Sequence, residues 1–205
     1  MANNSIWSPM DVTFFGSENK MISLWGSINE DTSLPVISQI MELDKLGTSS
    51  PITILMNTEG GSQMDAYAIY DAIKSITTPV TVIATGLCAS AGLIVLSAAN
   101  YKLATPNTMF FYHQTIMESQ KGLNSLESSK GIHKAYEMLN ERYDNTIIHN
   151  SKISKDSWNK SFKDKTIKYF NSKEALHYGI INDIITFKDK DIDLNKYRSM
   201  YGIQR

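Results

Sequence analysis

Ser90 stands among small residues, Gly86-Leu87-Cys88-Ala89-Ser90-Ala91-Gly92-Leu93, between a β-branched run and an apolar one. Val80 to Thr85 before it reads as a short buried strand. Ala91 to Ala99 after it, apolar apart from Ser97, reads as a helix buried on all sides. A hydroxyl at such a strand-to-helix junction sits where unpaired N–H groups can stabilise a developing negative charge, which is the geometry a nucleophile needs. The same position also suits a simple helix cap, and the segment alone leaves both roles open.

A nucleophilic serine needs a base and a place for the oxyanion. Of the four histidines, His133, His149 and His177 fall in helical or polar surroundings, where solvation or packing explains them. His113 differs, because it ends the apolar run Met109-Phe110-Phe111-Tyr112 and would be carried rigidly out of the core. Gly60-Gly61 follow the apolar run Pro51 to Asn57, and paired glycines at a strand end free the backbone to present its N–H groups. Together the three features supply an oxyanion donor, a nucleophile and a general base. The motif is not the Gly-x-Ser-x-Gly elbow of the α/β-hydrolases, since Cys88 stands where that elbow has its first glycine.

The elements that must hold these residues alternate. Met21 to Gly26 is a strand. Asn29 to Asp31 cap an amphipathic helix carrying Val36, Ile37, Ile40, Met41 and Leu43, which ends near Gly47. Pro51 to Asn57 is the second strand. Ser62 with Asp65 opens a capping-box-like start to a helix whose Ala66, Ile69, Tyr70 and Ile73 share a face. The third strand and the Ser90 helix follow, and this alternation predicts an α/β core with parallel strands. Tyr101 to Ala104 and the turn Thr105-Pro106-Asn107 lead to a further strand, Met109 to Tyr112, and Glu118 to Ser129 reads as a polar loop running towards the next helix. Ile132, Ala135, Tyr136, Leu139 and Tyr143 stripe a long helix reaching about Asn150. A small helix around Lys155 to Phe162 comes next. Ser172 is expected to cap a short helix ended by Gly179, and Ile180 to Ile185 to form a closing strand.

Composition narrows the classes. With 205 residues, 42% of them hydrophobic, the chain can build one sizeable core. Its formal charge of -1, from 20 basic and 21 acidic residues, gives no field for nucleic acid. A single cysteine excludes an internal disulfide framework. The start has no basic and apolar leader pattern and no run is long enough to span a bilayer, so the expectation is a cytoplasmic protein with no membrane partner. Nothing in the motifs calls for a metal or other cofactor.

The order Asn57-Thr58-Glu59-Gly60-Gly61-Ser62, Ala66 to Asp71, Ala89-Ser90-Ala91-Gly92, Tyr112-His113-Gln114 and Glu174 to Gly179 resembles the proteolytic subunits of the Clp protease over roughly residues 20–187. The resemblance implies an α/β crotonase-like spiral of strand-strand-helix units with a long protruding helix at about 125–150. Residues 1–19 would form an N-terminal arm and 188–205 a polar tail. It also implies a serine endopeptidase acting on peptides or unfolded proteins, with Ser90 as nucleophile, His113 as base, and the N–H groups of Gly61 and Ala91 as oxyanion hole. Stacked heptameric rings would enclose the sites. The family's aspartate stands seven residues before the Glu of the Glu-Ala-Leu segment, which here is Ile167, or Lys168 with a one-residue gap. Asp164 is the nearest carboxylate upstream and the candidate third member, with Asn171 behind it. Residues 1–19 look short for the family's unfoldase-facing segment, and Thr53-Ile54-Leu55 has no tyrosine for the docking pocket. Weak coupling to a Clp ATPase is therefore expected. Two other functions share the fold: a catalytically weak ring subunit, which a missing aspartate would allow, and an acyl-coenzyme-A crotonase, which needs no serine at the helix start.

Overall fold

The computed structural model describes residues 20–47, 50–115, 126–163 and 167–185. The N-terminal arm and the polar tail lie outside them, and so does Asp164.

Strands β1 (Met21–Ile28), β2 (Ile52–Gly61), β3 (Val80–Ala89), β4 (Tyr101–Ala104) and β7 (Asp183–Ile184) lie in that order in one parallel sheet. Helices α1 (Glu30–Lys45), α2 (Gln63–Ser75) and α3 (Gly92–Ala98) follow β1, β2 and β3 in turn. The side chains Ile22, Ile54 and Val82 from the sheet and Ile40, Ile69 and Ile94 from the helices are buried in one continuous core. Burial alternates along β1 and β2, with Ile22, Leu24, Ile54 and Met56 on the buried face and Trp25 exposed on the other.

β3 is the organising strand. Its first half, Thr81 to Ala84, pairs with β4, whereas its second half, Leu87 to Ala89, pairs with β5 (Met109–His113). β5 in turn pairs antiparallel with β6 (Ile167–Asn171). The change of neighbour occurs at Gly86, whose φ of 58° turns the strand, and Asn57 Oδ1 there accepts the Leu87 N–H at 3.0 Å. By this fork the strand carrying the histidine reaches the end of the strand carrying the serine.

Several elements differ from the sequence reading for identifiable reasons. β2 runs on through the glycines to Gly61 because β1 continues beside it, pairing Ser27 with Gly60 and Ile28 with Gly61. β3 extends to Ala89 because β5 supplies a partner. Ser62 caps α2 by accepting the Asp65 N–H at 3.2 Å, but the reciprocal half of the box is missing: the Ser62 N–H goes to Ile28 O, and Asp65 accepts from Ser33 Oγ. Asn171, not Ser172, caps α6 (Ser172–His177), with Glu174 returning the bond. The Ser172 hydroxyl is buried and committed to Thr105 O and Thr108 O. Only Asp183–Ile184 of the closing strand pairs, since Ile180 and Ile181 are buried in the turn before it. The small helix is α5 (Lys155–Trp158) followed by a π turn, Asn159–Lys163.

α4 (Leu126–His149) takes in the last residues of the expected loop. Its C-terminal part is anchored by buried Tyr143, Asp144 and Ile147, while no residue from Lys130 to Arg142 is buried. Behind it, Tyr112, Tyr143, Trp158, Phe162, Phe170 and Tyr178 form a cluster in which Trp158 stacks on Phe162 at 4.1 Å and Tyr112 on Tyr143 at 5.4 Å. Aromatic side chains have few torsions to freeze, so this cluster gives the site a stiff floor.

Candidate active site

Ser90 is the only described non-glycine residue with positive φ, at 51°. A β-carbon in the left-handed region costs about 1–2 kcal/mol, so the surroundings must hold it there. They do so through the backbone. The Ser90 N–H donates to Phe111 O at 2.7 Å, and Ser90 O accepts both the Leu93 N–H and the Tyr143 hydroxyl, each at 2.9 Å. Burial raises the Tyr143 pKa well above the usual phenol value, which keeps this hydroxyl a neutral donor. Ala91, not Ser90, is the N-cap of α3, and no side chain caps that helix. Among the described residues the Ser90 hydroxyl has no hydrogen-bond partner. The capping role left open by the sequence therefore does not apply.

The glycine pair closes on this turn. A β-carbon on Gly60 would lie 2.6 Å from Ser90 Cβ and 2.7 Å from Ala89 O, and 3.0 Å from the Ala91 nitrogen. Only glycine permits so close an approach, and its φ of 93° demands it again. The Gly60 N–H is taken by Thr58 Oγ1 at 2.9 Å. The Ser62 N–H donates to β1 at Ile28 O, and Gly61, at φ 141°, packs against Ile28 and Ser27 of the same strand. Gly60, Ser90 and Ala91 thus meet at one point.

His113 ends β5, two residues beyond Phe111, whose carbonyl holds the Ser90 N–H. Its half-buried ring stacks on Phe111 at 5.1 Å, and Phe111 stacks on Tyr169 at 4.4 Å. Its Nδ1 lies 2.8 Å from Gln114 O. A carbonyl can only accept, so Nδ1 carries the proton and Nε2 has the free lone pair. No hydrogen bond joins His113 to Ser90 among the described residues.

Opposite His113 in the β5–β6 ladder stands Ile167, 55% exposed. This is the place the motif count reaches, and the side chain there has no acceptor. Lys168 faces the other side of the strand, its ammonium 4.2 Å from the Phe162 ring centre and bonded to Tyr178 Oη at 3.1 Å. Asn171 pairs with Met109, four positions along the ladder from Ile167, or about 13 Å at about 3.3 Å per residue. Its side chain is spent on capping α6, so it cannot orient the His113 ring. His133, His149 and His177 are all exposed. Cys88 is fully buried, and that burial pushes its thiol pKa up, which keeps it protonated and inert. Tyr143 was visible in the sequence only as one member of the α4 stripe; nothing there signalled that its hydroxyl holds the serine.

The fold thus brings together a strand-end serine in a strained turn, a glycine pressed against it and a histidine that ends the adjoining strand. The comparisons with known proteins go further. The Clp protease family model matches residues 10–188, and the chain belongs to that family of proteolytic subunits, a serine protease family. It is 31% identical over 183 residues to the ATP-dependent Clp protease proteolytic subunit 2 of Treponema pallidum, an alignment covering 87% of each chain. To subunit 3 of Synechococcus sp. strain CC9605 it is 30% identical over 172 residues, 82% of each. A solved structure of a ClpP1 mutant from Listeria monocytogenes matches with a TM-score of 0.73 and 28% identity, covering 83% of this chain and 93% of that one. No described helix is long and apolar enough to cross a membrane.

Proposed function

We propose that this chain is a serine endopeptidase that hydrolyses peptides or unfolded proteins inside a ring-shaped oligomer. Ser90 Oγ attacks the scissile carbonyl while His113 Nε2 takes its proton. The N–H groups of Gly61 and Ala91 receive the oxyanion. Collapse breaks the C–N bond, His113 passes the proton to the leaving amine, and water then releases the acyl group from Ser90 by the same steps in reverse. The observation that carries this reading is the Ser90 backbone, held at φ 51° by bonds at both its N–H and its carbonyl while the hydroxyl has no partner among the described residues. A purely structural serine gains nothing from such strain.

Among the described residues His113 has no carboxylate partner. Gln114 O fixes the tautomer of His113, but a neutral carbonyl stabilises the imidazolium less than a carboxylate does. A slow enzyme follows, and a ring subunit of very low activity is the second reading, favoured by Ile167 at the position opposite His113. Self-association is supported by the uncovered part of α4, where Met138 is 63% exposed, together with family membership. Stacked heptameric rings are the expected form, with no more than weak coupling to a Clp ATPase.

Incubation with a fluorophosphonate followed by intact mass tests the reading. One adduct per chain on the wild type, lost in Ser90→Ala, is expected. Labelling that survives Ser90→Ala refutes the mechanism, and a monomer by light scattering at micromolar concentration refutes the ring.

A further inference from the structure

Just past the two strand ends that meet at Ser90 lies a polar cluster that the chemistry above does not use. Gln63, the first residue of α2, stands two residues after Gly61. Thr115 stands two residues after His113. Gln63 Nε2 donates to Thr115 Oγ1 at 2.8 Å, and the Thr115 N–H donates to Asn140 Oδ1 on α4 at 2.7 Å. The three side chains are half-buried and carry no charge. Gln63 Oε1 is buried with no hydrogen-bond partner among the described residues. Leaving an amide oxygen unpaired out of water costs about 1–3 kcal/mol, so such a group calls for an occupant. Because the Thr115 hydroxyl can donate or accept, the Gln63 amide can turn over and set either its oxygen or its NH₂ at the unpaired position.

The position of the cluster gives the occupant. A scissile carbonyl attacked by Ser90 with its oxygen on the Gly61 N–H carries its own side chain one bond away, beside the residues that immediately follow Gly61. We propose that Gln63, held by Thr115 and backed by Asn140, is the specificity-determining residue for the side chain on the acyl side of the cleaved bond, and that it selects an uncharged hydrogen-bonding side chain, above all a glutamine or asparagine amide, over an aliphatic one. This rests on the peptidase reading. An amide side chain pairs with either face of the Gln63 amide, whereas a leucine side chain buries the orphan oxygen against methyl groups. Sites built on buried hydrogen-bonding groups discriminate strongly against analogues that leave those groups unpaired. For a half-buried cluster the expected preference is about tenfold or more.

The test uses peptidyl diphenyl phosphonates differing only in the side chain next to phosphorus, glutamine-like or leucine-like, from which Ser90 Oγ displaces phenoxide. Labelling is followed by intact mass on the full chain. Each rate is divided by that of a plain fluorophosphonate on the same protein. The glutamine-like probe should react at least about tenfold faster on the wild type, and Gln63→Leu should reverse the order. Thr115→Val, which frees Gln63 without removing it, should reduce the preference to below about threefold and serves if Gln63→Leu does not fold. Equal or leucine-favouring rates on the wild type, or a preference untouched by both variants, overturn the inference while the plain probe still labels Ser90. If the plain probe does not label Ser90 at all, the peptidase reading falls and takes this one with it.

Discussion

Ile167→Asp places a carboxylate directly opposite His113. Opposed residues on an antiparallel pair have β-carbons about 4.5–5.5 Å apart, so an aspartate at 167 reaches Nδ1 once the ring leaves Gln114 O. A hydrogen bond to a neutral group contributes about 0.5–1.5 kcal/mol and one to a charged group about 1.5–3. The imidazolium-like transition state thus gains about 1.5 kcal/mol over the ground state, or roughly tenfold in rate. The upper limit is the factor of about 10⁴ that a buried triad aspartate contributes elsewhere. Because Ile167 is 55% exposed, losing it should change stability by no more than about 0.5 kcal/mol. A ten- to hundredfold rise in the hydrolysis of a fluorogenic peptide is expected. The same 1.5 kcal/mol moves the acid limb of the pH–rate profile up by about one unit. A variant that folds and assembles but shows neither a faster rate nor a displaced limb would refute the argument that His113 lacks a carboxylate at this place.

Asp164→Asn should leave the rate within about twofold, since Ile167 holds the ladder position opposite His113; a loss of several orders of magnitude in peptide hydrolysis would show that Asp164 is the missing partner. Ser90→Gly and Ser90→Ala both lose the hydroxyl, but only glycine is relaxed at φ 51°, so urea unfolding should find the glycine variant about 1 kcal/mol more stable than the alanine one. Lys102 donates to Asn150 O at the end of α4, and burial, with Lys74 and Lys152 nearby, pulls its pKa down to about 8. A lysine depressed in the fold binds fewer protons there than in the unfolded chain, so its penalty is complete below pH 8 and is relieved as pH rises from about 8 to 10.5. Lys102→Met should abolish that rise, a relative change of about 3 kcal/mol between the two proteins across this window, read from urea unfolding at each pH.

Local signals carried much of this molecule. The Ser62 cap, the apolar run that delivers His113 and the count from Glu174 to Ile167 all depend on neighbours in the chain, and all three reappear in the structure. What failed were places where a distant segment decides. The second strand read as ending at Asn57 with Gly60 and Gly61 beyond it, yet pairing with Ser27 and Ile28 keeps them in β2. Ser172 read as a cap because its hydroxyl suits one, but Asn171 took the role once buried carbonyls of Thr105 and Thr108 claimed that hydroxyl. The Gln63, Thr115 and Asn140 cluster left no trace in the sequence, since its members are 52 and 25 positions apart and each is unremarkable alone.

Asn140 and Tyr143 lie three residues apart on α4, hence on one face of a single stiff rod. One receives the Thr115 N–H beyond the histidine strand, and the other donates to the serine carbonyl. Tilting or sliding that rod displaces both contacts in the same direction and by similar amounts. The Ser90 turn and the Gln63–Thr115 cluster are therefore set by a shared mechanical coordinate, and displacing α4 disturbs both arrangements in one movement.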